Sequence, residues 1–303
     1  MDNLFVIKQV AVLAVLALVG FVARKKKVMN DESSKGLSSI LLYIALPAMI
    51  ISAYNFKFSM GMLQKGGLAV IFSIIIHALL IVINKVAFRR YGFDKRNVLS
   101  FVHVFANAGF IGLPLVLQLY NQEGVFYASM FMIPFHILMW TYGQGLFMKD
   151  KKGLSFIAQV ANPNIISVMI GLVIFIFSIE VPYVIMRPLN MLSGLTAPLA
   201  MMIVGDKIAQ MKWKDLFSDK DIYIACLARL VVAPVITYAI MKGANLDPVL
   251  IGVGVTLESI PAAVAVVVLA EKYGGDVMFA SKCTLISHII SVITMTAILL
   301  FLR

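Results

Sequence analysis

The sequence is poor in charge, poorer still in acids, and nearly free of cysteine. Only 14% of its 303 residues are charged, with 15 Asp or Glu against 26 Lys or Arg. A soluble domain carries about 25% charged residues, so a water-facing enzyme is excluded. A hydrophobic share of 61% and a mean hydropathy of +0.95 support the same exclusion. Cys226 and Cys283 lie in separate apolar stretches and form neither a disulfide framework nor a metal site by spacing. No phosphate-cradling loop ending in Gly-Lys-Ser or Gly-Lys-Thr is present, so the chain does not hydrolyse ATP itself. An intramembrane enzyme would need paired acids, a His-Glu-x-x-His zinc motif or a Ser/His arrangement, and none occurs at useful spacing. The net charge of +11 does not indicate a nucleic-acid partner, because the basic residues flank apolar runs and form no extended face.

What the sequence does have is long apolar runs, each about 20 residues, the length that crosses about 30 Å of hydrocarbon as a helix. Ten spans are predicted, near 4–23, 37–55, 67–88, 97–119, 124–147, 162–180, 187–208, 221–241, 247–271 and 277–302. All should be helices, since backbone polar groups in lipid must satisfy one another. The first run has no basic residue ahead of it and no small-residue cleavage site, so it is expected to be a spanning helix and not a removable signal. The expected protein is therefore an all-α, multi-pass membrane protein of the cell membrane.

Basic residues set the expected orientation. Loops after odd-numbered spans hold 19 of them, among them the run Arg24, Lys25, Lys26 and Lys27, against five on the other side. The positive-inside rule then puts the odd loops in the cytoplasm and both termini on the outer side.

The two halves also resemble each other. A shift of 152 residues lays Val125, Ala128, Ser129, His136 and Ile137 onto Val277, Ala280, Ser281, His288 and Ile289, and a shift of 151 lays Pro47 onto Pro198. This reads as two five-helix repeats, 1–148 and 162–303, joined by a short cytoplasmic linker over 149–161. An odd number of spans per repeat turns the second copy upside down, the arrangement of many secondary transporters.

Two spans carry helix breakers. In the fourth, Asn107, Gly109, Gly112 and Pro114 lie within eight residues, which should break or kink the helix. Asn107 is placed to offer its amide to a ligand, with a packing kink as the alternative. In the ninth, Glu258, Ser259 and Pro261 interrupt an apolar run. A helix that restarts after such a break presents free N–H groups and a partial positive charge, so the expected ligand is an anion. Glu258 is an acid deep in a span and needs a reason. It is a candidate coupling site for H+ or Na+, or else half of a buried pair with Arg229 of the eighth span.

These residues resemble the auxin efflux carrier family, which contains plant auxin exporters and bacterial carriers of small organic acids. The stretch Asn107–Pro114 is similar to the family's first crossover, Pro261–Tyr273 to its second, Ala197–Gly205 to its seventh span, and Asn162 with Pro163 to the entry of its sixth. The resemblance implies a scaffold domain from spans 1, 2, 6 and 7 and a transport domain from spans 3–5 and 8–10, with the broken fourth and ninth helices crossing at the substrate. The expected substrate site comprises Asn107, Ala108, Gly109, Phe110, Pro114, Ser259, Ile260, Pro261 and Ala262, with Pro47 and Ser193 from the scaffold. The implied function is secondary transport of a small organic anion by an elevator-type alternating-access mechanism, without a cofactor and with Na+ or H+ coupling open. An anion channel, or a sodium-coupled symporter of the bile-acid-carrier type, is the alternative, and a homodimer is left open. The chain lacks the plant exporters' long loop between halves, and Glu258 departs from the family pattern.

Other residues have plainer readings. His136 and His288 share a repeat position, which favours packing over proton relay, and His77 and His103 have no acidic partner at ligand spacing. Asp206 and Lys207 are expected to be a solvated pair.

Overall fold

A computed structural model describes residues 3–148, 163–210 and 219–301; the expected linker over 149–161 lies outside them. The described residues form helices throughout, with no strand beyond one isolated bridge. Six of these helices are long and apolar enough to cross a membrane: Asp31–Ala53, Met60–Ala87, Ala108–Phe147, Tyr183–Asp206, Lys220–Gly243 and Val277–Phe301. Pro163–Ile176 and Pro248–Ser259 are shorter apolar helices. The chain is thus a multi-pass membrane protein.

In chain order the elements are α1 (Asn3–Lys25), α2 (Asp31–Ile40), α3 (Leu46–Ala53), α4 (Met60–Ala87), α5 (Phe93–Val104), α6 (Leu113–Leu138) and α7 (Gln144–Phe147). After these come α8 (Pro163–Ile176), α9 (Tyr183–Ser193), α10 (Thr196–Ala209), α11 (Lys220–Leu227), α12 (Ala233–Gly243), α13 (Pro248–Ser259), α14 (Ala265–Tyr273) and α15 (Val277–Phe301). A proline explains three of the irregular turns between them. The wide π turns Leu41–Ala45, Ala108–Gly112 and Ala228–Val232 each end two residues before a proline, Pro47, Pro114 and Pro234. The ring of a proline collides with the carbonyl four residues back, and widening that turn relieves the collision without ending the helix. The turn between the expected fourth and fifth spans falls inside α6, where Asn121 leaves the helical region at φ 57°.

The chain divides into two compact units. Unit one is Met1–Gly66, Gly109–Met130 and Ala161–Lys212. Its tightest helix pair is α1 against α10, where Gly20 and Gly205 let the backbones touch. A Cβ on Gly205 would fall on the Ala17 carbonyl oxygen, and one on Gly20 on that of Met202. Small residues are how helices pack closely where lipid removes the hydrophobic drive between them. Tyr54 anchors the unit elsewhere: its hydroxyl is 2.7 Å from Ser129 Oγ and its ring 4.6 Å from that of Phe126. Asp206 corrects the sequence reading. It is fully buried, with Arg24 Nη1 at 3.5 Å and the Gln210 amide donating to it at 2.8 Å.

Unit two is Gly67–Ala108, Phe131–Val160 and Trp213–Arg303. Ile71, Ile75, Val82 and Val86 on α4 form an exposed apolar stripe at helical spacing, as expected of a lipid-facing side. At the start of α11, Asp219 caps the helix by accepting the Asp221 N–H at 3.0 Å. Lys95 bridges both acids, at 2.9 Å from Asp219 and 2.7 Å from Asp221. The hydrogen bond from Lys95 holds the Asp219 carboxyl below its ordinary range, and those to Asp221 and Asp219 hold the Lys95 ammonium above its own. The Asp219 contribution is therefore complete above the usual carboxylate range and lost as pH falls through its lowered value. That of Lys95 is complete below the usual lysine range and lost as pH rises through its raised value. Lys95→Met is expected to lower stability by about 0.5–1 kcal/mol near neutral pH, the groups being partly exposed. Thermal unfolding of both proteins against pH checks this: the gap should narrow on acidification, and a gap constant into strong acid would contradict it.

Candidate functional site

The site is built in unit two from two helices that stop and restart. The first stops at Val104, where the chain turns extended at Phe105, with φ −109° and ψ 114°. The second stops at Ser259, followed by extended Ile260 at φ −80° and ψ 158°. The two gaps pair as antiparallel backbone, Ala106 opposite Ala262. The Asn107 N–H donates to the Pro261 carbonyl at 2.8 Å and the Ala263 N–H to the Phe105 carbonyl at 3.0 Å. Pro261 has no N–H to offer, so its carbonyl is what it brings to the pairing. The Ala262 N–H donates to Ser287 Oγ of α15 at 3.2 Å. Backbone groups freed by the two breaks are in this way satisfied by each other, the condition for irregular chain at membrane depth.

Below the bridge a single arginine closes both helix ends. Arg229 is fully buried in the π turn after α11. Its Nη1 donates to the carbonyls of His103 at 3.0 Å and Val104 at 3.1 Å, the last two residues of α5. Its Nη2 donates to the Glu258 carbonyl near the end of α13 and to Glu258 Oε2 at 2.5 Å. The last carbonyls of a helix lack intrahelical partners and carry partial negative charge. One guanidinium fork satisfies two such ends and neutralises the carboxylate. Of the two sequence readings of Glu258, the pair with Arg229 is present.

Asn107 is nearly buried, and its side-chain nitrogen lies 3.3 Å from His288 Nε2. His288 Nδ1 is 2.7 Å from the Thr284 carbonyl, which can only accept. Nδ1 therefore carries the hydrogen, Nε2 is the acceptor, and the Asn107 amide is the donor. His136, at the same repeat position, has no hydrogen-bond partner at either ring nitrogen among the described residues, so the two histidines differ in what they do. Ser259 turns its hydroxyl back on the Thr256 carbonyl at 2.9 Å.

Of the residues expected at the substrate site, Asn107, Ala108, Ser259, Ile260, Pro261 and Ala262, together with Glu258, belong to unit two. Gly109, Phe110, Pro114, Pro47 and Ser193 belong to unit one, where Gly109 lies near Leu46, the neighbour of Pro47. His77 has no acidic partner at local spacing, but the fold gives it a distant one: its Nε2 is 3.5 Å from Glu258 Oε1. The two residues are 181 positions apart in the chain, and no local spacing could have signalled the contact. The double capping by Arg229 also went unread, although a lone arginine inside an apolar run was a cue to look for buried acceptors.

Two interrupted helices paired backbone to backbone within a multi-pass helical protein are an arrangement of the membrane-transport-protein class. Comparison with known proteins says which. The model of a family described as membrane transport protein matches residues 5–159 and again 152–299, and the chain belongs to this family, which is of the auxin efflux carrier type. The chain is 24% identical to an uncharacterized transporter of Methanocaldococcus jannaschii over 299 residues, 94% of each protein. It is 24% identical over 301 residues to a Rhizobium meliloti protein named "Putative malonate transporter", covering 95% of this chain and 93% of the relative. An uncharacterized transporter of Methanothermobacter thermautotrophicus is 22% identical over 286 residues, 93% of each. These relatives are membrane transporters and not enzymes.

Proposed function

We propose that this protein is a secondary carrier of a small organic anion, with the carboxylate bound where the fourth and ninth helices are interrupted. The observation that carries the reading is the antiparallel pairing at Ala106 and Ala262. It leaves the Asn107 amide and the N-terminus of α14 at one place, both of them donors. Anions bind at such helix starts, and a carboxylate accepts from an amide. The Rhizobium meliloti relative is named for malonate, a dicarboxylate, and malonate is therefore the first substrate to try.

The finer architecture proposed is ten spans as two inverted five-helix repeats, over 1–148 and 162–303, with both termini outside and alternating access by an elevator movement. Two matches of one family model along the chain support the repeat. The composition of the two units supports a scaffold of spans 1, 2, 6 and 7 and a transport domain of the rest: those four fall in unit one, and spans 8–10 in unit two. Gly109–Met130 falls in unit one and departs from that division. Arg229 on the Glu258 carboxylate disfavours the sodium-symporter alternative, because the carboxylate a sodium ion would need already has a cation.

The test is binding and flux of malonate by purified protein. Asn107→Ala is expected to weaken malonate binding by about 1–3 kcal/mol, the cost of removing one hydrogen bond to a charged group. Saturable exchange of labelled malonate in liposomes is expected of the wild type. Conductance linear in voltage without exchange would favour a channel, and unchanged affinity in Asn107→Ala would move the site elsewhere.

A further inference from the structure

The surroundings of His77 do not match a histidine that serves only as packing. Its Nδ1 is 2.7 Å from the carbonyl oxygen of Ser73, one turn back on α4, and a carbonyl can only accept. Nδ1 therefore carries the ring hydrogen of the neutral form, and the Nε2 lone pair points the other way. What it meets is another acceptor, Glu258 Oε1 at 3.5 Å, with both side chains buried. Nε2 has no hydrogen-bond partner among the described residues. The rest of the ring is walled by Phe105, Phe131 and Phe135, with centroids 6.5, 5.8 and 5.7 Å away. Ser73 Oγ is directed to the Phe131 carbonyl at 2.7 Å and leaves no donor for Nε2.

A lone pair facing a carboxylate oxygen in a dry place is an unfavourable contact that one proton converts into a charge-assisted hydrogen bond. We propose that His77 Nε2, opposite Glu258, is a proton-binding site, and that its occupation accompanies movement of the anion, so that the carrier translocates a carboxylate together with a proton. The inference rests on the proposed carrier function. The proton comes from water, bonds to the Nε2 lone pair and leaves by the same bond; nothing else is made or broken.

The charges around the ring say why the two ligands belong together. The charged groups facing His77 are Glu258 from α13 and Arg229 from the π turn after α11. Arg229 already balances Glu258, so the cluster is neutral without the extra proton and carries +1 with it. A net charge in that interior is costly unless a counter-charge arrives. Arg229 holds the carbonyls of His103 and Val104, Phe105 follows with its ring stacked on His77, and Asn107 lies two residues further. An anion at Asn107 would stand two residues from the ring stacked on His77, and its field would offset the added positive charge. By linkage, the anion raises proton affinity as much as the proton raises anion affinity.

The test is a 15N-histidine NMR titration of the full-length purified protein, with and without malonate, paired with malonate uptake into liposomes under an imposed pH gradient. His77 is assigned from the signal lost in His77→Gln, or by elimination with His103→Gln, His136→Gln and His288→Gln should that variant not fold. Nε2 is expected to take up a proton as the pH is lowered across the range in which the protein stays folded. Its midpoint should rise with malonate and fall by about one to three pH units in Glu258→Gln, which keeps the shape and removes the charge. An inward proton gradient should drive malonate uptake by the wild type, and flux in His77→Gln should no longer respond to it. A flat titration of His77, or wild-type malonate flux indifferent to the gradient, overturns the proposal. Absence of any carboxylate flux would count instead against the carrier function, and the titration would then decide the proton site alone.

Discussion

Arg229→Met is expected to cost about 3–5 kcal/mol of stability, the loss seen when one partner of a buried ion pair is removed and the other charge stays behind. The variant leaves more than the Glu258 carboxylate uncompensated. The carbonyls of His103, Val104 and Glu258 also lose the guanidinium donor. Adding Glu258→Gln removes the stranded charge but not the stranded carbonyls, so the double variant should recover only part of the loss. Arg229→Lys is expected to fall well short of the wild type, because one ammonium cannot present a planar fork to two helix ends at once. The measurement is thermal or denaturant unfolding in detergent, with protein yield as a second readout. Arg229→Met within about 0.5 kcal/mol of the wild type would show that the fork does not hold the two breaks together.

The second large effect is expected from Gly205→Val in unit one. The added Cβ meets the backbone oxygen of Ala17, not the movable end of a side chain, so α1 and α10 must separate along their contact. Overpacking of this kind costs about 1–3 kcal/mol or more, and the rigid backbone puts this site at the upper end. Gly20→Val should act alike, since its Cβ meets the Met202 oxygen. The two losses should not add, because either substitution alone already parts the same pair of helices. A cysteine cross-link between α1 and α10 that forms equally fast in Gly205→Val and the wild type would refute the close approach.

Much of the fold was legible because lipid leaves a chain few choices. Apolar runs of spanning length must be helices, and where Gly and Pro cluster within such a run the helix must give way. That is why the interruptions after Val104 and Ser259 could be expected from Asn107–Pro114 and Glu258–Pro261. The buried Arg229–Glu258 pair was also within reach, since two opposite charges in neighbouring apolar runs have few other partners. Asp206 was misread because it sits near the end of a run, where water is the default. Its burial against Arg24 follows from the tight packing of α1 on α10, which no local pattern reports.

By itself, then, the sequence determined the solvent: charge too sparse for water and apolar runs long enough for lipid dictate a helical, multi-pass chain, and residues that cannot continue a helix dictate where it breaks. Only the tertiary structure decided what the breaks do. Pairing Ala106 with Ala262, capping two helix ends with Arg229 and turning the His77 lone pair on Glu258 join residues up to 181 positions apart. Such contacts are set by how helices pack, and packing depends on shapes and directions of side chains that a one-dimensional pattern does not carry.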